Sequence, residues 1–151
     1  MKNKKTKHDA IHEFFGEKIK EIAEGVLNFN FSPEEAEHIS LVTNYSGNIR
    51  KKYVRIGAEK EYGFSIIVVK PYSTDEDSMN LEAMNFAQYL SDWVEEQNRQ
   101  KNYPAFPKNC QIKKMEVLQN MPNLVGINYK ERMARYMVQC KINYFEKENE
   151  I

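Results

Sequence analysis

The side chains best suited to metal binding are two histidines near the start of the chain. His8 and His12 stand one helical turn apart, with Glu13 next to the second, and this spacing can present two metal ligands on one helix face. A third ligand is missing from the neighbouring sequence. We therefore interpret both histidines as exposed helix residues and predict no metal site.

Two cysteines, Cys110 and Cys140, leave two alternatives open. They can form a disulfide if their strands are neighbours, or one of them can act as a nucleophile with His38. No local signature supports either alternative, and Cys140 falls on the apolar side of a strand pattern, where a thiol usually packs as a small hydrophobic group. Because the sequence shows no signal peptide, we expect a cytoplasmic protein with both thiols reduced.

The paired carboxylates of the chain do not predict acid–base catalysis. Asp75 with Asp77, and Glu95 with Glu96, fall in polar stretches, whereas a catalytic carboxyl group needs a desolvated setting. The six glycines form no phosphate-binding loop. We therefore predict that the protein is not an enzyme and has no catalytic residues.

A basic segment spans residues 50–55, with the sequence Arg-Lys-Lys-Tyr-Val-Arg. It can bind nucleic acid by stacking and by neutralising phosphates, or its charges can keep an exposed hairpin soluble. Because 22 basic residues balance 22 acidic ones, no overall field favours DNA or an anionic membrane. A third alternative is that charges at both ends of the hairpin set the register between identical subunits. The candidate subunit-interface residues are Arg50, Lys51, Lys52, Glu59, Lys60 and Glu61.

Two amphipathic helices are predicted from apolar residues that recur every three or four positions. The first covers residues 9–27, with Thr6 or Asp9 as its N-terminal cap. The second covers residues 79–100, and acidic residues precede it, where a helix N-terminus stabilises negative charge. Each helix has one apolar stripe, so we expect both helices to cover a sheet.

Five strands are predicted from runs of alternating or continuous apolar residues. They cover residues 39–45, 51–58, 62–69, 112–118 and 133–144. The third strand is apolar on both faces and is therefore expected at the centre of the sheet. Between these strands we predict a connector over residues 29–33, turns over residues 46–48 and 59–61, a bulge near Lys113 and Lys114, and a loop that begins at Met121.

The length of 151 residues fits a single domain. We predict a basic leader over residues 1–8, one domain over residues 9–146 and an acidic tail over residues 147–151. The predicted order of elements is α-β-β-β-α-β-β. This order defines an α+β fold in which one largely antiparallel sheet is covered by two helices.

The ordered set of motifs resembles the phage minor capsid and tail-terminator family. The family pattern joins a basic residue–Tyr–hydrophobic–x–Gly strand, a short acidic turn, an aromatic-led apolar strand and a helix that ends near Leu-x-x-Trp. The matching residues in this chain are 52–57, 59–61, 62–66 and Phe86 through Leu90 to Trp93. Further matches are residues 103–106, 113–117, 123–126 and 134–144, so the resemblance covers residues 49–145.

This resemblance implies a structural virion protein. Such proteins form a ring, usually a hexamer, that caps the tail tube of a phage or phage-tail-like particle and joins it to the head. The implied partners are the chain itself, the tail tube, a sheath protein where there is one, and the head–tail connector, with no cofactor, no membrane and no specific nucleic acid. The implied location is the head-proximal end of the tail in the virion, after assembly in the bacterial host cytoplasm. The alternative is a small nucleic-acid-binding module that uses the basic segment 50–55.

Overall fold

A computed structural model describes residues 5–23, 27–29, 37–53, 56–75, 77–119 and 121–147. These residues form two helices and one sheet of six strands. The elements are α1 (Lys7–Ala23), β1 (Leu27–Phe29), β2 (His38–Tyr53), β3 (Gly57–Pro71), α2 (Asp77–Gln100), β4 (Cys110–Val117), β5 (Asn123–Asn128) and β6 (Met133–Lys147). The predicted α+β class and order of elements are confirmed. Within that order β1 and β5 are short strands that are not predicted, and β2 spans the first two predicted strands.

The sheet is antiparallel except for one short parallel pair, β1 with β2. Its strand order is β1-β2-β3-β6-β4, and β5 also pairs with β6. β4 pairs with the half of β6 that contains Glu146, and β5 pairs with the half that begins at Met133. Because β3 occupies one edge of β6, both short strands share the other edge. They form that border of the sheet in two separate pieces.

The hydrophobic core lies between the two helices and one face of the sheet. Alternate residues of β6 are buried from residue 134 to residue 144, as the two-residue period of a strand requires. β3 is buried on both faces over residues 62–69, which confirms its predicted central position. The rings of Phe15 in α1 and Trp93 in α2 pack 5.5 Å apart, so the helices also contact each other.

The start of α1 is fixed by two reciprocal hydrogen bonds. The backbone N–H of Asp9 donates to Thr6 Oγ1 at 3.1 Å, and the backbone N–H of Thr6 donates to Asp9 Oδ2 at 2.9 Å. Each side chain thereby satisfies a backbone donor that the helix leaves unpaired. Both predicted caps therefore act together, and the helix begins at Lys7 instead of Asp9.

One long strand replaces the first two predicted strands. β2 continues through residues 46–48, so the turn predicted there is wrong. Its pairing with β3 shifts between Ser46 and Asn48, and also at two other places. A bulge of this kind accommodates an extra residue and increases the local twist, which is how residues typical of turns fit within a strand. The bulge predicted in β4 is confirmed by a similar shift between Ile112 and Lys114.

The turn predicted over residues 59–61 is also wrong. All three residues lie inside β3, and the chain reverses direction between Tyr53 and Gly57. Gly57 has a φ of 148°, and a Cβ atom at this position would lie 2.1 Å from the carbonyl oxygen of Glu146 in β6. Because glycine has no Cβ atom, residue 57 can approach the backbone of β6 this closely, and β3 begins here. Residues 59–61 do not form the turn.

Two short strands occupy segments for which no strand is predicted. β1 lies where the sequence predicts the end of the first helix and a connector, and β5 lies within the predicted loop after Met121. α1 ends at Ala23, and residues 30–36 lie outside the described residues. With three and six residues, β1 and β5 are too short for a clear two-residue period. Each depends on pairing with a longer neighbour.

Candidate functional site

The six candidate interface residues lie along the β2–β3 hairpin. Arg50, Lys51 and Lys52 are on β2, and the register places Lys51 opposite Glu59 of β3. The side chains of these three basic residues are outside the described part of the structure, as are residues 54 and 55. Opposite charges at facing positions stabilise an antiparallel pair. The backbone therefore brings basic and acidic candidates onto one hairpin.

Lys60 and Glu61 face opposite sides of the sheet and have different partners. Lys60 Nζ donates to Glu146 Oε2 at 2.6 Å. Lys141 Nζ lies 3.7 Å from Glu61 Oε1 and 3.4 Å from Glu116 Oε1 on the face that the helices leave uncovered. Because neighbouring residues of a strand alternate between faces, the structure does not gather the six candidates into one surface.

A partly buried ionic cluster around Glu146 joins the start of α1 to the sheet. Lys7 Nζ donates to Glu146 Oε1 at 2.8 Å, and Cys110 Sγ lies 3.4 Å from the same oxygen. Burial alone would raise the pKa of Glu146, but hydrogen bonds from Lys60 and Lys7 outweigh burial and lower the pKa to about 2. At neutral pH the cluster is thus one carboxylate shared by two cations, an arrangement that fastens α1 to β3 and β6.

Glu146→Gln is expected to destabilise the fold at neutral pH by up to about 3 kcal/mol, because Lys7 and Lys60 lose their shared carboxylate. A glutamate in the unfolded chain has a pKa of about 4.3, whereas the pKa of Glu146 in the folded chain is about 2. A lowered folded-state pKa contributes stability above the unfolded value, and this contribution is lost as the pH falls from about 4.3 to about 2. Urea unfolding of both proteins across this range measures the effect. The difference in unfolding free energy should shrink as the pH falls, and a constant difference would contradict the assignment.

Neither cysteine has the setting of a reactive thiol. Burial, together with a hydrogen bond to Glu146, raises the pKa of Cys110 to about 11. Cys140 is fully buried, and burial raises the pKa of its thiol well above the usual range. Neither thiol forms a disulfide. The cysteines lie on the paired strands β4 and β6 but not at facing positions, since Cys110 faces Glu146 and Cys140 faces Val117. The disulfide considered from the sequence is therefore not formed, and both thiols stay protonated at neutral pH.

His8 and His12 both pack edge to face on the ring of Phe29, each with ring centroids 6.0 Å apart. His8 Nδ1 also lies 2.6 Å from the hydroxyl of Tyr62. His38 is the first residue of β2. Within the described ranges, no group of three or more His, Cys, Asp or Glu side chains is arranged to hold a metal ion.

Exposed hydrophobic side chains concentrate at the border of the sheet that β5 forms. Of the nine large hydrophobic residues exposed in the described chain, five lie within residues 118–129. They are Leu118, Met121, Leu124, Val125 and Tyr129, which we call the β5 apolar edge. Their exposed fractions range from 44% to 67%. Single exposed apolar residues are normal on a protein surface, and the density of this group makes the border a candidate interaction site.

The neighbouring border strand, β4, is protected. The backbone N–H of Met115 donates to Asn98 Oδ1 of α2 at 2.8 Å, and the hydroxyl of Tyr103 lies 3.4 Å from the carbonyl oxygen of Lys113. Side chains from α2 and the following loop thus satisfy outward backbone groups of β4. Among the described strands, β5 pairs only with β6, so its outer side is an open border that can pair with another chain.

A cleft of about 430 Å³ opens at one end of the β5 apolar edge. It lies between the loop after β3, the start of α2 and the β5–β6 turn. The backbone N–H of Tyr72 donates to the carbonyl oxygen of Arg132 at 2.8 Å, and the Asn80 side chain makes two hydrogen bonds with the backbone of Ser73. The rings of Tyr72 and Tyr129 meet edge to face at 6.2 Å. The walls of the cleft are therefore preformed, which suits insertion of a partner side chain.

The β5 apolar edge has only a weak signature in the sequence. Leu124 and Val125 are consecutive apolar residues, but Pro122 and Gly126 beside them are typical of loops. Nothing in this local pattern indicates whether the apolar side chains are buried. Only the pairing of β5 with β6 places them at a border of the sheet.

Comparison with known proteins yields no family for this chain. It matches no protein-family model and shows no significant similarity to a curated protein. Neither α1 nor α2, the helices of the described residues, is long and apolar enough to cross a membrane.

Proposed function

We propose that the protein is a structural component of a phage or phage-tail-like particle, a tail terminator that forms a ring and caps the tail tube. The observation that carries the proposal is the β5 apolar edge, with five large hydrophobic residues exposed beside an open strand. A soluble monomer rarely exposes such a group, and burial against another chain removes it from water. The order of motifs in the sequence resembles the tail-terminator family and is the basis for naming this assembly, but residues 59–61, which match the acidic turn of the family pattern, lie inside β3.

The arrangement of layers supports assembly by repeated contacts. Both helices pack on one face of the sheet, so the helix layer, the uncovered face and the β5 border are different surfaces of one subunit. A cyclic ring with head-to-tail contacts needs two different surfaces on each subunit, which meet across every interface. A fold that presents distinct surfaces on different sides meets this requirement.

The chemistry of the titratable groups supports a structural role. The Cys110 thiol is protonated at neutral pH, and Glu146 is shared by two lysines. Glu116 is likewise paired, with Lys114 Nζ at 2.9 Å and Lys141 Nζ at 3.4 Å. Groups that are neutral or already ion-paired hold elements together, whereas a general acid or base must exchange its proton during a reaction.

Replacement of Leu124 and Val125 by lysine is expected to abolish capping without unfolding the protein. Both side chains are about half exposed, so the fold loses little buried area. Interface anchors contribute about 2 kcal/mol each, which corresponds to a loss of affinity of about 30-fold per residue. Electron microscopy of purified tail tubes, mixed with either protein, measures the fraction of capped ends. Circular dichroism verifies that the variant is folded.

A matched control adds the same two charges elsewhere. Gln100→Lys with Gln111→Lys changes two exposed residues outside the β5 apolar edge, and this variant should cap tubes as well as the unmodified protein. If the unmodified protein is a monomer at every concentration and leaves tube ends bare, the proposed function is wrong. Binding to DNA that weakens steeply with salt would instead support the nucleic-acid-binding alternative.

A further inference from the structure

One exposed hydrophobic side chain stands apart from the others. Ile56 is 59% exposed and lies in the turn between β2 and β3. The other large hydrophobic residues exposed in the described chain all belong to the β5 apolar edge or to α2. Because the first residue of β3 pairs with Lys147, the last residue of β6, this turn lies at one end of the sheet. We call it the Ile56 end.

The cleft lies at the other end of the same strands. Its walls include Pro71, the last residue of β3, and Arg132, the residue before β6. β3 contains 15 residues, and a strand rises about 3.3 Å per residue, so roughly 45 Å separates the two ends. Ile56 therefore cannot reach the cleft of its own chain, and only a second chain can bring residue 56 there.

The walls and the size of the cleft suit a large apolar side chain. Tyr72 and Tyr129 supply rings that meet edge to face, and Met79 supplies a flexible thioether. Met79 is 40% exposed and Tyr129 is 67% exposed, so an apolar occupant removes part of both from water. The volume of about 430 Å³ exceeds the roughly 150 Å³ that accommodates a group the size of benzene. The cleft is therefore large enough for the side chain of an isoleucine.

Two exposed lysines lie beside Ile56. Lys147 pairs with the first residue of β3 and is thus next to the turn. Its backbone N–H donates to the carbonyl oxygen of Asn109 at 2.7 Å, which brings Lys108 close as well. The ion pairs of the described residues include neither lysine. Residues 148–151, two of them acidic, follow and lie outside the described part of the chain.

Two exposed aspartates lie on one side of the cleft. Asp75 lines the cleft, and Asp77 begins α2 directly beyond it. Neither carboxylate belongs to an ion pair within the described ranges. Arg132 lines the cleft from a different wall, the β5–β6 turn. The lysines of the Ile56 end are therefore attracted to the α2 side of the cleft and repelled from the side of Arg132, which orients the approaching chain.

We propose that Ile56 of one copy inserts into the cleft of the next copy, and that the two lysines beside it lie next to the two aspartates of the cleft. The occupant is a second copy because one chain carries both complementary ends and cannot bring them together. An apolar side chain that enters a pocket elsewhere on the next copy makes a heterologous contact, and its repetition closes a ring or extends a filament. This inference rests on the proposed function, for which it identifies the contact between neighbouring subunits.

Cysteine cross-linking tests the contact. Ile56→Cys in one protein and Met79→Cys in a second protein with a different tag are mixed, with and without tail tubes, and treated with a short bismaleimide. A covalent dimer that carries both tags should form. The control pair replaces Met79→Cys by Tyr89→Cys, which lies on the same helix with a similar exposed fraction, 45% against 40%. The control pair should not exceed the background that Cys110 and Cys140 give in the unmodified protein.

A substitution at the Ile56 end measures the strength of the contact. Ile56→Asp should raise the concentration needed for assembly by about tenfold or more, because a charged group replaces the apolar side chain that enters the cleft. Sedimentation velocity measures assembly in solution, and electron microscopy measures capped tube ends. Tyr89→Asp adds the same charge at an exposed hydrophobic residue in the middle of α2 and should leave assembly unchanged. Circular dichroism verifies that both variants are folded.

The outcomes separate this contact from the proposed function. If the unmodified chain assembles and caps tubes, but the mixed dimer does not exceed the control pair or Ile56→Asp assembles as readily as the unmodified protein, the contact is wrong and the proposed function stands. If the unmodified chain never assembles, with or without tubes, the proposed function fails and the contact fails with it.

Discussion

Gly57→Ala is expected to destabilise the fold by about 3 kcal/mol or more, one of the largest effects of any single substitution in this chain. A Cβ atom at residue 57 would lie 2.1 Å from the carbonyl oxygen of Glu146 and 2.9 Å from the Cα atom of Lys147. Both atoms belong to the backbone of β6, which pairs with β3 from this residue onward. Moving either strand would break ladder hydrogen bonds and also shift Glu146 away from Lys7 and Lys60.

The comparison that isolates this clash uses two glycines with free space around them. A Cβ atom at Gly16 or at Gly126 would have no neighbour within 4 Å. Gly16→Ala lies inside α1 and should stabilise the protein by up to about 1 kcal/mol, because alanine favours helix. Gly126→Ala should change stability little. Urea unfolding of the three variants measures these differences, and a loss at Gly57 no larger than that at Gly126 would rule out the clash.

The elements that the sequence predicts well are those with long, strong periodicity. β6 alternates without a break over residues 134–144, and α2 repeats its buried stripe over residues 83–97, so both follow from local pattern. The central position of β3 follows from its apolar residues on both faces. In each case the side chains that face the core must be apolar. The spacing of apolar residues along the sequence therefore indicates which side chains are buried.

The elements that the sequence does not predict are those determined by contacts across the sheet. Ser46 and Asn48 are typical of a turn, yet they lie in β2 because bulges against β3 accommodate them. Glu59 and Glu61 are polar enough for a turn, but partners on neighbouring strands place them inside β3. β5 has no period of its own and is defined by pairing with β6. Tertiary pairing overrides local preference at each of these positions.

The same distinction, between what local sequence pattern predicts and what contacts across the sheet determine, applies to the candidate site. The sequence indicates the charged hairpin, but it cannot show that Lys60 and Glu61 have different partners on opposite faces. It also cannot show that Leu124 and Val125 are exposed, since exposure depends on the strand beside them. The residues of such a surface site come from different strands and helices. The site can therefore be identified only when the order of strands in the sheet is known.

Phe15→Ala is expected to cost about 3–5 kcal/mol, the range observed when a buried phenylalanine is truncated. Phe15 is fully buried and packs its ring against three others, with centroids 5.3 Å from Phe64, 5.5 Å from Trp93 and 5.3 Å from Phe14. It therefore connects α1 both to the central strand and to α2. Removing the ring leaves a cavity at the junction of all three elements, and the rigid strands around it can collapse only partly.

The adjacent Phe14 supplies the matched comparison for this cavity. It has the same side chain and also contacts Trp93 at 5.3 Å, but it is only half-buried. Phe14→Ala should therefore cost roughly half as much, because less apolar area returns to water and no enclosed cavity forms. Chemical unfolding gives both values. Equal losses at the two positions would mean that α1 does not insert Phe15 between α2 and the sheet.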